Sequence, residues 1–287
     1  MFEGFELSRI DVGETVLRVR HGGGGPPLLL LHGWPETHMM WGRIAADLAR
    51  DFTVIAPDLR GYGESIGPET TATHEPYSKR AMGRDAVALM AHFGFDRFDL
   101  AGHDRGGRVA YRLALDRPEV LRRLAILDIV PTGEVFGRAD MAMGLGYWHW
   151  FFLAQPHPFP ERVIEADPAW FLFRGGRGPY DPEALADYIA CAKRPSVIHA
   201  MCEDYRAGAS FDFELDQADR AAGRRFDTPT LVLWGSKGAL PRWYDVLALW
   251  RDWASDVRGH AIDAGHFIPE EKPAETLAAL RAFFLEH

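Results

Sequence analysis

The sequence contains few cysteines and no long apolar segment. Its 287 residues include two cysteines, Cys191 and Cys202. Two cysteines cannot form a disulfide framework, and without a CxxC or His/Cys spacing they do not indicate zinc. Apolar runs such as residues 28–31 are far shorter than the roughly 20 residues that a membrane span requires, and residues 1–15 lack the pattern of a secretory signal. These absences predict a cytoplasmic protein without a structural metal.

Basic residues are not in excess either. The chain carries 32 lysines and arginines against 41 aspartates and glutamates, a net charge of −9. Nucleic acids and anionic membrane surfaces attract net positive fields, so the charge argues against both as partners. An anionic small molecule would need a few arginines placed locally to hold it.

Low-complexity sequence is confined to the four glycines at residues 22–25, which Pro26 and Pro27 follow. This composition predicts a flexible turn, because glycine tolerates positive φ and proline cannot continue a ladder. A phosphate-binding loop is the alternative interpretation, but the Lys-Ser/Thr pair that such a loop needs is missing.

Apolar strand-like segments alternate with amphipathic segments along much of the chain. After a hairpin over 5–19, strands are predicted at 28–31, 52–57, 98–102, 124–129, 230–234 and, weakly, 259–262. Helices are predicted at 39–50, 78–93, 106–116, 243–253 and 273–285. The alternation predicts a mostly parallel sheet flanked by helices. Its interruption by aromatic, helical sequence predicts a core, residues 1–131 and 224–287, with an inserted helical cap, residues 132–223.

The predicted strand at 98–102 leads into the sequence Gly102-His103-Asp104-Arg105-Gly106. Small residues two positions before and after Asp104 allow a very tight strand-to-helix turn that projects this side chain above the sheet. A turn aspartate that caps the next helix is the alternative. A carboxylate nucleophile displaces a leaving group from an sp³ carbon and leaves an ester that water can cleave. The motif therefore predicts either removal of halide or opening of an epoxide.

Cleavage of that ester needs a base and a group that orients it. His266 lies between the last weak strand and the terminal helix, where such a fold places its histidine. The loop at residues 235–240, the usual place for the acid, has no carboxylate. Asp128 ends the preceding apolar strand, where a buried charge needs a partner. We therefore predict an Asp104, His266 and Asp128 triad, with a structural turn as the alternative for Asp128.

Main-chain donors for the oxyanion of the second step are expected from two places. The first is Trp34 in His32-Gly33-Trp34-Pro35, which follows the strand at 28–31, and the second is Arg105, directly after the nucleophile. The glycine-rich loop at residues 58–65 is interpreted as scaffold.

These motifs resemble those of the α/β-hydrolase superfamily and, within it, the fluoroacetate (haloacetate) dehalogenases. The similarity extends over nearly the whole chain and includes residues 32–35, 58–65 and 102–108. Relatives that act on epoxides or haloalkanes usually carry tryptophan directly after the nucleophile, where this chain has Arg105. The resemblance implies that Arg105 and Arg108 hold a substrate carboxylate. The spacing agrees, since Arg108 is one helical turn from Asp104.

The resemblance also implies a halide pocket in the cap, formed by His149, Trp150 and Tyr205. Fluoride is strongly hydrated and a poor leaving group, so hydrogen-bond donors aimed at it would replace the lost water. Packing of aromatic residues in the cap is the alternative for these side chains. The chain departs from the family at residues 169–180, a shorter segment without the late tryptophan of its relatives, so the resemblance implies nothing about substrate size or gating.

Taken together, the residues and the resemblance predict hydrolysis of haloacetates, fluoroacetate to glycolate above all, through an aspartyl ester and without a metal or organic cofactor. The partners are a small anionic halogenated carboxylate and water, and the resemblance implies a homodimer. An epoxide hydrolase on the same scaffold and a non-catalytic small-ligand receptor are the competing interpretations.

Overall fold

A central sheet organises the protein, whose computed structural model describes residues 1–176 and 178–286. In this part of the chain the sheet has eight strands in the order β1-β2-β4-β3-β5-β6-β7-β8. The strands are β1 Glu6–Asp11, β2 Val16–Gly23, β3 Pro27–Leu31, β4 Thr53–Pro57, β5 Phe98–His103, β6 Leu121–Leu127, β7 Thr230–Gly235 and β8 Val257–Ile262. β2 pairs antiparallel with β1 and β4, and the other pairs are parallel. The prediction of a mostly parallel sheet is confirmed.

Helices cover the sheet and fill the insertion between β6 and β7. The α-helices of the core are Ala45–Leu48, Lys79–His92, Arg105–Asp116, Leu240–Trp243, Val246–Arg251, Ile268–Glu271 and Pro273–Phe284. Those of the insertion are Thr132–Gly137, Met141–Gly146, Trp148–Leu153, Phe159–Ala166, Pro168–Phe173, Pro182–Ala192, Pro195–Ala207 and Phe213–Ala221, with a π-helical turn at Gly208–Asp212. We keep the predicted limits and call residues 132–223 the cap segment. Among the described residues, no helix combines the length and apolar character needed to cross a bilayer.

The central strands are buried along their whole length because both of their faces are covered. All five residues of β3 and all six of β5 are buried, as expected for parallel strands between two layers of helices. Their carboxyl ends meet at one edge of the sheet, beneath the cap segment. Residues that follow β3, β5 and β6 are therefore brought together at this edge.

Two predicted helices are wrong in extent. Residues 39–50 form a 3-10 turn, His38–Trp41, and a separate short helix, Ala45–Leu48. Residues 243–253 are divided by Tyr244, whose backbone is extended at φ −136° and ψ 142°. The next helix begins only after Asp245, whose carboxylate caps it by accepting from the Ala248 amide at 3.0 Å.

β6 also differs from its prediction at residues 124–129. It begins at Leu121 and ends at Leu127. Asp128 therefore lies just outside the strand, at φ +52°. This left-handed conformation turns the chain at the sheet edge, and aspartate tolerates it better than most residues.

Candidate active site

Asp104 occupies the turn between β5 and the helix Arg105–Asp116. Its φ of +42° is uncommon for a residue with a side chain. The flanking glycines are needed for close approach, since a Cβ at Gly106 would lie 2.5 Å from the carbonyl oxygen of Leu31 and one at Gly102 would lie 2.5 Å from that of Gly106. The turn presents the Asp104 carboxylate at the sheet edge, where its Oδ2 accepts from the Trp34 amide at 3.1 Å.

The three predicted triad side chains lie together. His266 Nδ1 donates to Asp128 Oδ2 at 2.6 Å, and His266 Nε2 lies 3.9 Å from Asp104 Oδ2. The other oxygen of Asp128 accepts from the Gly235 amide at 2.8 Å, so both oxygens of this carboxylate are engaged. His266 is thus held between the two aspartates, with Nε2 on the side of Asp104.

The charges of this group are coupled. Burial alone would lower the pKa of His266, but the contacts with Asp104 and Asp128 outweigh it and raise this pKa to about 10. Burial alone would raise the pKa of Asp104, yet His266, Arg108 and Arg105 hold it well below its usual range. At neutral pH the free protein therefore contains an ionised Asp104 next to a protonated His266.

The two predicted carboxylate-binding arginines are buried in different ways. Arg108 lines the cavity at the nucleophile, with Nε 3.9 Å from Asp104 Oδ1, and its Nη1 donates to the Val130 carbonyl oxygen at 3.0 Å. Arg105 packs against the ring of Tyr205 and donates to both carboxylate oxygens of Asp204, at 2.9 and 2.6 Å. Arg108 Nε and Arg105 Nη1 are buried and make no hydrogen bond among the described residues.

A cavity of about 300 Å³ opens onto Asp104, Asp128 and His266. Its wall is largely aromatic and includes Trp34, Tyr147, His149, Trp150, Phe171 and Tyr180. Burial lowers the pKa of His149 to about 4, so its imidazole is neutral at physiological pH. Tyr205 packs against this wall, its ring centroid 5.8 Å from that of Trp150 and 6.1 Å from that of His149. The side chains predicted to bind halide thus form one aromatic cluster at the cavity that contains Asp104.

A second buried hydrogen-bond network contacts the main chain of His266. Glu36 Oε2 lies 3.2 Å from His103 Nδ1, and His103 Nε2 donates to the His266 carbonyl oxygen at 2.8 Å. Glu270 belongs to the same network and accepts from the Tyr188 hydroxyl at 3.3 Å. Burial and the neighbouring Glu36 raise the pKa of Glu270 to about 10. Glu270 is therefore protonated at neutral pH.

Comparison with known proteins places this arrangement in a family. Residues 26–273 match the model of the alpha/beta hydrolase fold family. This chain is an α/β hydrolase. It is 44% identical over 290 residues to a fluoroacetate dehalogenase from Burkholderia sp, covering 99% of this chain and 95% of that protein. It is also 33% identical over 275 residues to a soluble epoxide hydrolase from Corynebacterium sp. (strain C12), covering 91% of each chain.

Solved structures of similar proteins superpose on the fold of this α/β hydrolase. A protein from Nostoc sp PCC 7120, provisionally described as an α/β hydrolase, superposes with a TM-score of 0.97 at 47% identity over 100% of both chains. The structure of an epoxide hydrolase, CorEH, superposes with a TM-score of 0.88 at 30% identity over 98% of both chains. The predicted fold and the predicted resemblance are confirmed.

Sequence reasoning missed the Glu36 and Glu270 pair in this α/β hydrolase. Glu36 directly follows Trp34-Pro35, which the sequence analysis did single out, so its position was the available signal. Nothing in the sequence pairs it with Glu270, which is more than 200 positions away. The pairing becomes visible only when the loop after β3 and the loop that carries His266 meet in the fold.

The proton on Glu270 predicts how the stability of the protein changes with pH. The raised pKa of Glu270 means that its stabilising protonated form is complete below about pH 4.5 and is lost as the pH rises toward about 10. A Glu270→Gln variant keeps the shape without the titration. Its Tm relative to the wild type should therefore become more favourable between about pH 6 and pH 9, as measured by calorimetry. The matched control is Glu275→Gln, at an exposed glutamate. A Tm difference between Glu270→Gln and the wild type that stays constant with pH would contradict a protonated Glu270.

One further group of potential metal ligands lies outside the cavity of this α/β hydrolase. Nitrogens of His157 and His199 and a carboxylate oxygen of Glu161 lie within 4.8 Å of one another. Arg206, however, donates to both oxygens of Glu161, at 2.7 and 3.0 Å. The carboxylate already has a cationic partner, and we assign no metal to this group.

Proposed function

We propose that this α/β hydrolase removes halide from haloacetates, with fluoroacetate as substrate and glycolate as product, through an ester on Asp104. The observation that carries the proposal is the pair of buried arginines next to Asp104, in which Arg105 Nη1 and Arg108 Nε make no hydrogen bond among the described residues. A buried charged donor without a partner is costly. A substrate carboxylate offers two oxygens and a negative charge to these donors, whereas a neutral epoxide offers one weakly accepting oxygen and no charge to balance the arginines.

In the first step an oxygen of Asp104 attacks the carbon that bears the halogen. Oδ2 already accepts from the Trp34 amide, whereas Oδ1 faces Arg108 Nε at 3.9 Å. We assign the attack to Oδ1, because Oδ2 then becomes the ester carbonyl oxygen in the place where an oxyanion is stabilised. The carbon–halogen bond breaks with inversion, and its electron pair leaves with the halide.

The departing halide is received by the cluster of His149, Trp150 and Tyr205. Each side chain can donate one hydrogen bond, since His149 is neutral and burial holds the pKa of the Tyr205 hydroxyl well above its usual value. The donors lie in a largely enclosed site, where a hydrogen bond to an anion is stronger than in water. Their placement supports stabilisation of the leaving group.

In the second step water cleaves the ester. Ester formation removes the negative charge of Asp104, which is one of the two causes that raise the pKa of His266. The pKa of His266 therefore falls after the first step, the imidazolium releases its proton to solvent, and the neutral imidazole can then accept a proton from the attacking water. Asp128 fixes its orientation, and the amides of Trp34 and Arg105 are the proposed donors to the oxyanion. Glycolate leaves, and the Asp104 carboxylate is restored.

The Tyr205→Phe variant tests the halide cluster. It removes only a hydroxyl, so we expect fluoroacetate turnover to fall about 100- to 1,000-fold, as for loss of one preorganised oxyanion donor. Bromide is larger and leaves more easily, so bromoacetate turnover should fall much less. Rates of release of the two halides give the comparison. The matched control is Tyr77→Phe, which removes the hydroxyl of a tyrosine in the separate contact with the Pro68 carbonyl oxygen. Equal losses on both substrates would mean that Tyr205 acts by packing.

The direct test of the proposed function is release of fluoride and chloride from fluoroacetate and chloroacetate, measured beside diol formation from a small terminal epoxide. The epoxide reaction is the second candidate, because both Tyr147 and Tyr205 lie in the cap segment near Asp104 and could protonate an epoxide oxygen. Halide release with glycolate formation supports the proposal. Diol formation alone would favour the epoxide reaction, and neither product would favour a receptor.

A homodimer in the cytoplasm is proposed with this function. In support, several large apolar side chains of the cap segment are exposed, Met141 by 80%, Leu145 by 72% and Trp170 by 68%. Apolar surface of this kind favours a protein partner, and a second copy is the partner that the family resemblance implies. Light scattering during size exclusion tests the assembly, and a monomer at micromolar concentration would contradict it.

A further inference from the structure

Asp204 binds Arg105 from the cap segment. It lies near the end of the helix Pro195–Ala207, directly before Tyr205, and is fully buried. Arg105 Nε donates to Asp204 Oδ2 at 2.9 Å, and Arg105 Nη2 donates to Oδ1 at 2.6 Å and to the carbonyl oxygen at 3.0 Å. This contact engages one edge of the guanidinium in a fixed geometry.

The opposite nitrogen of the guanidinium is left free. Arg105 Nη1 is buried and has no partner among the described residues. The aromatic ring of Tyr205 lies against the guanidinium, with its centroid 4.2 Å from the Arg105 Cζ atom. Gly208 makes room on another side, because a Cβ there would lie 3.2 Å from Nη2. The surroundings therefore fix which nitrogen remains for a ligand.

Asp204 is itself held in place by the core. Its Oδ2 also accepts from the Tyr62 hydroxyl at 2.8 Å, and its Oδ1 accepts from Lys79 Nζ. Burial would raise the pKa of Asp204, but Arg105 and Lys79 outweigh it and lower this pKa to about 2. The carboxylate is thus ionised and saturated with donors, which makes it a rigid support for Arg105.

Two other carboxylates compete with Asp204 for the positive charge of Arg105. The first is Asp104, whose pKa is lowered in part by the Arg105 charge. The second is Asp212, which lies 3.9 Å from Lys79 Nζ, the same nitrogen that binds Asp204. Without Asp204, the Arg105 charge would remain under the attraction of both carboxylates. A pairing with Asp104 would occupy the nucleophile.

We propose that Asp204 is a positioning residue that sets specificity for carboxylate substrates: it holds Arg105 away from Asp104 and leaves Nη1 alone to bind the substrate carboxylate. The inference rests on the proposed function for the identity of the substrate. It adds that a residue of the cap segment, which does not touch the substrate, determines how the core binds it.

Binding of glycolate, measured by titration calorimetry, tests the assignment without requiring turnover. Asp204→Asn should weaken glycolate binding by about 10- to 100-fold, the range for a hydrogen bond to a charged group. Arg105→Gln should weaken it similarly, and the double variant should bind no more weakly than Arg105→Gln alone, because Asp204 acts through Arg105. With chloroacetate as substrate, Asp204→Asn should raise KM more than it lowers kcat.

Tyr77→Phe is the control, since it removes a buried tyrosine hydroxyl that donates to the Pro68 carbonyl oxygen and does not contact Asp204 or Arg105, and it should change glycolate binding less than about threefold. If Asp204→Asn does not fold, Asp204→Glu keeps the charge but displaces the guanidinium, and it should also weaken binding. Wild-type affinity in both folded variants, additive losses in the double variant, or no glycolate binding by the wild type would overturn the assignment. Glycolate binding without halide release from any haloacetate would instead overturn the proposed function and leave the role of Asp204 intact.

Discussion

Asp104→Asn is expected to abolish halide release from haloacetates while the protein stays folded. The amide matches the carboxylate in size and tolerates the positive φ of this turn, but it is a very poor nucleophile. Loss of a covalent nucleophile lowers kcat by roughly 10,000-fold or more. Halide release and intact-protein mass are measured together, since slow deamidation would restore the carboxylate.

The same variant gives a second measurement, on His266. Loss of the Asp104 charge removes one cause of its raised pKa, so the pKa should fall below its wild-type value of about 10. Imidazole resonances followed through a pH titration would show the change. Asp263→Asn, an exposed aspartate paired with Lys237, is the matched control and should change neither halide release nor the titration. Substantial turnover by intact, folded Asp104→Asn would remove Asp104 from its proposed role.

His266→Asn should stop the reaction after its first step. Displacement at carbon needs no base, whereas hydrolysis of the ester does, and loss of a general base lowers a rate by about 100- to 10,000-fold. We expect one halide released per protein molecule, followed by a stall. Mass spectrometry should then find one carboxymethyl group on the peptide that contains Asp104.

The control for this experiment is His260→Asn, at an exposed histidine in β8, which should turn over normally and stay unmodified. The outcome against the proposal is a His266→Asn protein that releases no halide and carries no adduct. His266 would then be required for the first step, for example to hold the Asp104 carboxylate in position through the contact at 3.9 Å.

Features that depend on residues close in sequence could be predicted from the sequence. The turn at Asp104 follows from Gly102 and Gly106, whose close approaches leave no space for side chains. Asp128 could be chosen as the acid because residues 235–240 offer no carboxylate, and the structure places its side chain 2.6 Å from His266 Nδ1. The family resemblance supplied the arginines and the halide cluster.

Features that depend on distant contacts were not accessible in this way. The contact of Asp204 with Arg105 joins residues 99 positions apart, and an aspartate in a predicted cap helix gives no sign of its partner. The extent of short helices was also misjudged, because apolar periodicity continues through Tyr244 while the backbone there is extended. Capping by Asp245 was the signal that could have revealed this break.

The position of Asp128 after β6 leaves the loop after β7 without a side chain in the triad. Gly235 is constrained, since a Cβ there would lie 1.8 Å from the Gly265 carbonyl oxygen, but Lys237 is 65% exposed and pairs with the equally exposed Asp263. Cysteine introduced at residue 237 would therefore carry a fluorescent label or a surface linkage close to the triad without replacing any part of it. Both native thiols are buried, so labelling would be confined to that loop, and the emission of the dye could follow ester formation in real time.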